Sequence, residues 1–425
     1  HDRRGVLAQE EESDVRSSGP SSEIALGTAI TLGAGAIFSA AVWFVGPETL
    51  SGTAAVAPYM IVDRFTLFFS FLICTGGALT SLLAGGYLPE HRLDRGEFYP
   101  LLTFSAVGAI ILAAAGDILT LFLGLETMSL GVYALTGFRR ASPRSTEAAV
   151  KYFLLGSFAA ALLLYGGALL YGATGHTDIA GIRSVIAAGG KLNYGLVLIG
   201  AALIISGLAF KVSAIPFHMW TPDAYEGAPT PATGFMAVAV KSAAFATMLR
   251  VLTGAFGDSS LASWGAGWPP MIAIIAVLTM TVANLIAGQQ ESVKRMLAYS
   301  SIAHAGYVLV GVVATMRQSE EAQASVMFYL LAYTASTVGA SARSSSAAAA
   351  GSRPSRTRTS RASASATRPW RSRSRCSSCR SPASRRRRAS SGSSTSSRRR
   401  SALACTRSPS SCCSTACWVR TTTCG

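Results

Sequence analysis

The chain reads GLAFKVSAIPFHMWTPDAYEGAPTP from Gly207 to Pro231, and this stretch decides the fold class. A long apolar run ends here at a lysine, Lys211, and a proline, Pro216, follows five residues later. Proline removes a backbone donor and clashes with the preceding turn, so a helix that reaches Lys211 is predicted to break near Pro216. Broken helices at membrane depth are tolerated where they line a protein-buried or hydrated cavity. An ordinary loop could also carry Pro216, but the nearby lysine favours a discontinuous membrane helix.

The composition places this break in a membrane protein. The chain has 425 residues, of which 50% are hydrophobic and 14% are charged, whereas soluble domains carry about 25% charged residues. Apolar runs long enough to cross roughly 30 Å of hydrocarbon recur along it. We therefore predict an all-α polytopic transmembrane helix bundle of about ten helices, at residues 24–46, 65–87, 98–115, 118–138, 152–172, 195–217, 233–253, 271–288, 297–314 and 322–340.

The chain divides into three segments by composition. Residues 1–23 are polar, with no sign of a signal peptide, and because the chain begins with His1 we expect this end to be incomplete. Residues 24–340 form the predicted membrane domain. Residues 341–425 hold 19 of the 37 basic residues, all of them Arg, and seven of the eight Cys, so the +16 net charge belongs to this tail.

Three interpretations of the tail compete. It could be a disordered basic segment, an Arg/Ser segment that binds RNA or acidic lipid, or a GC-rich gene translated in the wrong frame. We favour the frameshift, because the tail lacks Ile, Phe, Tyr, Met, Asn, Gln, Lys, Asp and Glu, which largely have A/T-rich codons. On this interpretation nucleic acid is not a partner, and the Cys376–Cys379 pair is not a zinc site.

The charges of the links predict an orientation. Arg139, Arg140 and Arg144 follow one predicted helix, and Lys294 and Arg295 follow another. Four predicted helices separate the two links, so both should lie on the same side of the bilayer. The positive-inside rule makes that side cytoplasmic.

Five ionisable residues stand within or at the start of predicted helices: Glu126, Lys151, Lys211, Lys241 and His304. A charge at the bilayer centre costs about 2.5–3.5 kcal/mol, so such residues usually have a function. A desolvated lysine sheds its proton readily, and a nearby carboxylate opposes this, so a Glu–Lys–Lys series can pass protons stepwise.

Each of these residues also has a simpler explanation. Glu126 and Lys211 could only hold helices together, and Lys151 could extend toward the lipid headgroups. His304 could be a hydrogen-bonded core histidine. We predict proton translocation by Glu126, Lys211 and Lys241, with His304 and Lys151 as possible relay members.

Three stretches resemble the antiporter-like membrane subunits of bacterial NADH–quinone oxidoreductase (complex I). They are residues 210–231, residues 150–157 (VKYFLLGS) and residues 292–307 (SVKRMLAYSSIAHAGY). The motif YEGAP at residues 225–229 resembles subunit N rather than the related subunits L and M. The resemblance covers about residues 24–340.

The resemblance implies a fold of fourteen helices with inverted repeats. It implies that Glu126 is the carboxylate of the fifth helix, Lys211 the lysine of the broken seventh, and Lys241 that of the eighth. In this sequence the first helix is missing or replaced. The twelfth, which supplies a further channel lysine, is expected after Ala340, where the Arg/Ser tail stands instead.

The resemblance also implies a place in a complex of the bacterial inner membrane. The subunit would carry no cofactor, and NADH, FMN, iron–sulfur clusters and quinone would be bound by or reach other subunits. Its partners would be other membrane-arm subunits and the lipid bilayer. Two alternatives remain open: a subunit of a multisubunit cation/proton antiporter, and a nonfunctional truncated fragment.

Overall fold

The computed structural model describes residues 21–47, 56–189, 192–265, 267–317 and 320–349. Helices dominate these residues, and they follow each other in the order α1 Ser21–Val45, α2 Arg64–Glu90, α3 Phe98–Ala114, α4 Ile118–Thr136, α5 Pro143–Thr174, α6 Ile179–Ala188, α7 Tyr194–Val212, α8 Thr221–Gly227, α9 Thr230–Ala255, α10 Trp268–Ala287, α11 Val293–Ala314 and α12 Glu320–Ala349.

Each of the ten predicted apolar runs coincides with one of these helices, so the predicted all-α membrane fold is confirmed. Eight of the helices in the described residues are long and apolar enough to cross a bilayer. Helix α3 has 17 residues and is about 25 Å long at 1.5 Å per residue. Helices α6 and α8 lie in links to which the apolar pattern assigned no structure.

Helix α12 runs through the predicted boundary between the membrane domain and the tail. It begins at Glu320 and continues to Ala349, because the stretch after Ala340 is rich in alanine, the strongest helix former. The remaining tail, 350–425, and the N-terminal residues 1–20 lie outside the described residues. The predicted disorder and origin of the tail therefore stay predictions.

Helix α9 occupies the centre of the bundle. It packs against α2, α3, α7 and α12, and almost all of its side chains are buried. Small residues line it, among them Ala239, Ala243 and Ala246, all of them fully buried. Small side chains let the backbones of neighbouring helices approach closely, as is typical of membrane bundles. This helix carries Lys241.

Helices α3 and α4 touch along their backbones at two glycines. A Cβ atom added at Gly108 would lie 2.3 Å from the backbone nitrogen of Met128, and one at Gly124 would lie 2.6 Å from that of Leu112. No other residue fits at this crossing without separating the helices. The close contact fixes the position of α4, which carries Glu126.

The basic links lie at the same end of the bundle, as predicted. Arg144, Lys294 and Arg295 line one cavity of about 920 Å³. At the other end, Asp63, Asp178 and Arg250 line a second cavity of about 630 Å³. The cytoplasmic assignment of the basic end stays a prediction.

Candidate functional site

Lys211 is buried in the last turn of α7, with 1% of its surface exposed. Its Nζ atom donates to the hydroxyl oxygen of Ser129 at 2.8 Å and to that of Tyr133 at 3.2 Å. Both hydroxyl groups belong to α4. The charge that lipid would exclude is therefore held by polar groups of a neighbouring helix.

Glu126 lies on the same face of α4, one turn before Ser129. Its charge attracts Lys211, but within the described residues no ion pair of 4 Å or less joins the two side chains. The Oε1 atom of Glu126 is buried and has no protein hydrogen-bond partner. Glu126 therefore shares a helix face with Ser129, a hydrogen-bond partner of Lys211, without forming an ion pair with Lys211.

The helix break precedes the predicted proline. Helix α7 ends at Val212, because Ser213 adopts the left-handed conformation with φ of 65°. Residues 214–220 then run without α-helix until α8 begins. Pro216 lies inside this irregular segment, four residues after Val212, the last residue of the helix. At the break the carbonyl oxygen of Phe210 accepts two hydrogen bonds, from the backbone N–H of Ser213 at 3.1 Å and from Trp220 Nε1 at 3.0 Å.

Lys241 forms a second buried site, between α9, α11 and α12. Its Nζ atom donates to the carbonyl oxygen of Ser301 at 2.9 Å and to the Ser301 hydroxyl at 2.6 Å. The Tyr333 hydroxyl donates to the same Ser301 hydroxyl at 2.8 Å. A π-helical turn, Met236–Val240, immediately precedes Lys241, and such turns are frequent at functional sites.

His304 belongs to the surroundings of Lys241 but does not contact it directly. Its Nδ1 atom lies 2.6 Å from the Tyr329 hydroxyl, and its ring centre is 5.1 Å from that of Tyr333. Tyr333, Ser301 and His304 share a cavity of about 220 Å³ with Tyr225. The histidine thus lies beside a polar cavity that reaches the hydrogen-bond partner of Lys241.

Lys151 lies apart from both buried lysines. It is half-exposed and pairs with Glu147 at 2.6 Å and Asp223 at 3.1 Å. Asp223 also pairs with Arg295 at 3.1 Å. Lys151 therefore belongs to an ion-pair network at the basic end of the bundle.

Sequence reasoning missed the hydroxyl partners of the lysines. Ser129 and Tyr133 stand three and seven residues after Glu126, a helical spacing that places all three on one face of α4. Ser301 likewise stands three residues before His304 on α11. The spacing could have singled out these residues, whereas nothing in the local pattern pairs Tyr333 with Ser301.

Several buried polar side-chain atoms have no partner among the protein atoms of the described residues. They include the hydroxyl oxygens of Ser213, Thr221 and Ser242. Ser213 follows the turn that holds Lys211, and Ser242 is the residue after Lys241. Buried polar atoms of this kind are commonly satisfied by ordered water.

These features define a class of protein: a polytopic helical membrane protein with ionisable side chains enclosed between its helices. Residues 115–364 match the family described as "NADH:quinone oxidoreductase/Mrp antiporter, TM". The chain belongs to this family.

Similar proteins show which subunit of the complex this chain resembles. The chain is 80% identical over 334 residues to NADH-quinone oxidoreductase subunit N 1 of Sorangium cellulosum (strain So ce56), a match that covers 78% of this chain and 66% of that protein. It is 44% identical over 305 residues to NADH-quinone oxidoreductase subunit N of Myxococcus xanthus (strain DK1622), covering 66% and 58% of the two chains. The resemblance to subunit N is thus confirmed, and the chain spans less than two thirds of the length of either relative.

Solved structures share the fold. A chain of respiratory complex I from Thermus thermophilus with bound aureothin superposes with a TM-score of 0.57 at 35% identity, covering 75% of this chain and 70% of that one. A chain of the Mrp complex from Dietzia sp. DQ12-45-1b gives a TM-score of 0.61 at 23% identity, covering 75% and 59%. The second likeness concerns the fold alone.

Proposed function

We propose that this chain is a membrane subunit of a proton-pumping NADH–quinone oxidoreductase and moves protons through Glu126, Lys211 and Lys241. The observation that carries this proposal is the way in which Lys211 and Lys241 are held. Both are buried, and each donates to the hydroxyl group of a serine on another helix. The names of the relatives support the assignment to this complex.

The geometry suggests how a proton moves. A buried ammonium group without a carboxylate in contact is costly, so Lys211 gives up its proton when the attraction of Glu126 weakens. The Ser129 hydroxyl donates to the carbonyl oxygen of Leu125 and accepts from Lys211. The Tyr133 hydroxyl can both donate and accept, so it stabilises either protonation state of Lys211. The hydroxyl groups of Ser301 and Tyr333 can likewise stabilise either protonation state of Lys241. A change of charge at one end of the series thereby alters the proton affinity of the next member.

This chain supplies proton-transfer groups and no redox chemistry in the proposed complex. NADH, FMN, iron–sulfur clusters and quinone are assigned to other subunits, and the partners of this chain are the neighbouring membrane-arm subunits and the lipid bilayer. The bacterial inner membrane is the proposed location, with the cavity that Arg144 and Arg295 line on the cytoplasmic side. His304 and Lys151 are secondary candidates, of which His304 lies closer to a buried lysine.

The test replaces one lysine in the assembled complex. Inverted vesicles that contain Lys241→Ala should oxidise NADH while proton uptake, followed with a pH-sensitive dye, falls by roughly tenfold, a loss equivalent to about 1.4 kcal/mol. Arg140→Gln is the matched control, because Arg140 is an exposed cation in an ion pair with Glu97. Unchanged proton uptake in a fully assembled Lys241→Ala complex would reject Lys241 as a member of the path.

A second variant separates conduction by Glu126 from packing. Glu126→Gln keeps the size of the side chain and removes its charge. If Glu126 acts on Lys211 through its charge, proton uptake falls while the complex assembles normally. If proton uptake and the membrane potential both survive, Glu126 has only a structural role.

The second candidate function is that of a subunit of a cation/proton antiporter. The family description includes Mrp antiporters, and the fold is shared with a chain of an Mrp complex. Co-purification distinguishes the two: flavin and iron–sulfur absorption in the purified complex supports the oxidoreductase. Sodium-driven proton flux in a complex without these absorption bands supports the antiporter.

A further inference from the structure

The ammonium group of Lys211 lies close to three aromatic rings. Its Nζ atom is 5.3 Å from the ring centre of Tyr133, 5.9 Å from that of Tyr152 and 5.8 Å from that of Phe210. All three distances fall within the roughly 6 Å range of a cation–π interaction. The rings come from three helices, α4, α5 and α7, and all are buried.

Of the described residues, none places a carboxylate within ion-pair distance of Lys211. The nearest hydrogen-bond partners of Nζ are neutral hydroxyl groups. Because Nζ lies 3.2 Å from the Tyr133 hydroxyl oxygen and 5.3 Å from the centre of the same ring, it meets Tyr133 at the hydroxyl edge of the ring. Attraction by ring faces, which carry partial negative charge, therefore comes from Tyr152 and Phe210.

Trp220, which follows the helix break, contacts two of the residues around Lys211. Its indole ring stacks on Tyr152 with centres 4.1 Å apart and planes inclined by 3°. Its Nε1 atom also donates to the carbonyl oxygen of Phe210, the residue before Lys211. One buried side chain thus ties the end of α7 to α5.

We propose that Tyr133, through its hydroxyl edge, and Tyr152 and Phe210, through their ring faces, form an aromatic cage that holds the Lys211 ammonium group, and that Trp220 is the positioning residue of this cage. Ring faces attract a cation without a fixed hydrogen-bond direction. The ammonium group can therefore turn between the hydroxyl groups and the side of Glu126 without leaving the cage. This movement of the ammonium group deepens the proposed function and rests on it, whereas the existence of the cage does not depend on the proposed function.

Nuclear magnetic resonance of the full chain in lipid nanodiscs tests the cage directly. The sequence contains five lysines, so a sample with ¹³C-labelled lysine Cε gives few signals, and Lys211→Met identifies the one from Lys211. Protons that lie over ring faces resonate upfield. We expect the Lys211 ε-methylene signal to be shifted upfield, and to lose part of that shift in Tyr152→Leu.

Matched variants distinguish the cage from general packing. Tyr152→Phe keeps the ring and should keep the shift. Tyr165→Leu, on the same helix with 60% of the tyrosine exposed, should leave the Lys211 signal in place. Trp220→Phe keeps a stacking ring but removes the donor to Phe210, so it should move the signal by less than Tyr152→Leu. Should Tyr152→Leu fail to fold, Phe210→Leu answers the same question.

The result that overturns the cage is a Lys211 signal that does not respond to loss of either ring, or that responds equally to Tyr165→Leu. The proposed function fails separately. If the cage variants move the Lys211 signal while proton uptake by the complex is unchanged, the cage stands and Lys211 is no member of the proton path.

Discussion

Lys241 and Ser301 are joined by two hydrogen bonds, from the lysine Nζ atom to the serine carbonyl oxygen at 2.9 Å and to its hydroxyl at 2.6 Å. The two residues are 60 positions apart in the sequence and belong to α9 and α11. One serine therefore satisfies two of the three donors of a buried ammonium group. The serine hydroxyl also accepts a hydrogen bond from the Tyr333 hydroxyl, so it connects Lys241 to α12.

Ser301→Ala removes the hydroxyl but leaves the carbonyl oxygen. A hydrogen bond between membrane helices contributes on average about 0.6 kcal/mol and at most about 1.7 kcal/mol. We expect proton uptake by the assembled complex to fall by about threefold to tenfold. Ser301→Thr should retain most of the activity, and Ser325→Ala, whose hydroxyl bonds within its own exposed turn, should change nothing. Full activity in Ser301→Ala would show that the hydroxyl is dispensable.

Gly156→Ala should displace Tyr133 from Lys211. A Cβ atom at position 156 would lie 2.0 Å from the Tyr133 hydroxyl and 2.8 Å from the ring carbon that bears it, so the phenol must move. Overpacking of this kind costs about 1–3 kcal/mol. Gly172→Ala on the same helix is the control, because nothing lies within 4 Å of its added Cβ. Thermal unfolding in detergent measures the cost, and an equal melting temperature for both variants would contradict the close approach of Tyr133 to Gly156.

Gly108→Ala should be still more damaging. The added Cβ would lie 2.3 Å from the backbone nitrogen of Met128, and a backbone atom cannot turn away as a side chain can. We expect a loss of about 3 kcal/mol or more in the free energy of unfolding, seen as poor accumulation of folded protein. Gly86→Ala has open space around its Cβ and should be neutral or stabilising by up to about 1 kcal/mol. Normal yields of Gly108→Ala would mean that α3 and α4 lie farther apart.

The ion pair of Asp63 and Arg250 predicts a pH dependence. Burial raises the pKa of Asp63, but the charge and hydrogen bonds of Arg250, together with hydrogen bonds from Thr66, outweigh it, so the pKa lies below its usual 3.8. A group whose pKa is lowered by folding stabilises the fold above its unfolded pKa, and this stabilisation is lost as the pH falls through the folded value. The contribution is therefore complete above about pH 5.

Arg250→Met should reduce the stability that Asp63 contributes above pH 5 and shift the onset of acid unfolding to higher pH. Arg250→Lys should restore only part of it, because the guanidinium group donates to both carboxylate oxygens, at 3.0 and 3.2 Å. Melting temperatures between pH 3 and pH 7 measure the effect. Parallel curves for wild type and Arg250→Met would contradict the role of this pair.

Much of the fold was predictable because lipid imposes strict requirements on a sequence. Each helix must satisfy its own backbone groups, so each leaves a long apolar run. The links that hold α6 and α8 were not assigned because helices of ten and seven residues leave no such run. The break near Lys211 was expected at Pro216, but the chain leaves the helix at Ser213, whose backbone conformation the residue type alone does not reveal.

The sequence by itself determined that this is a helical membrane protein with a carboxylate and two lysines in its interior. Long apolar runs that contain a single charged residue can be recognised directly in the sequence. Only the tertiary structure decided what those charges contact. Lys211 donates to Ser129 and Tyr133 and lies beside the rings of Tyr152 and Phe210, and Lys241 donates to Ser301. The reason is physical. Spacing along one helix fixes which residues share a face, whereas the neighbour of that face depends on where the backbones cross, as at Gly108 and Gly124.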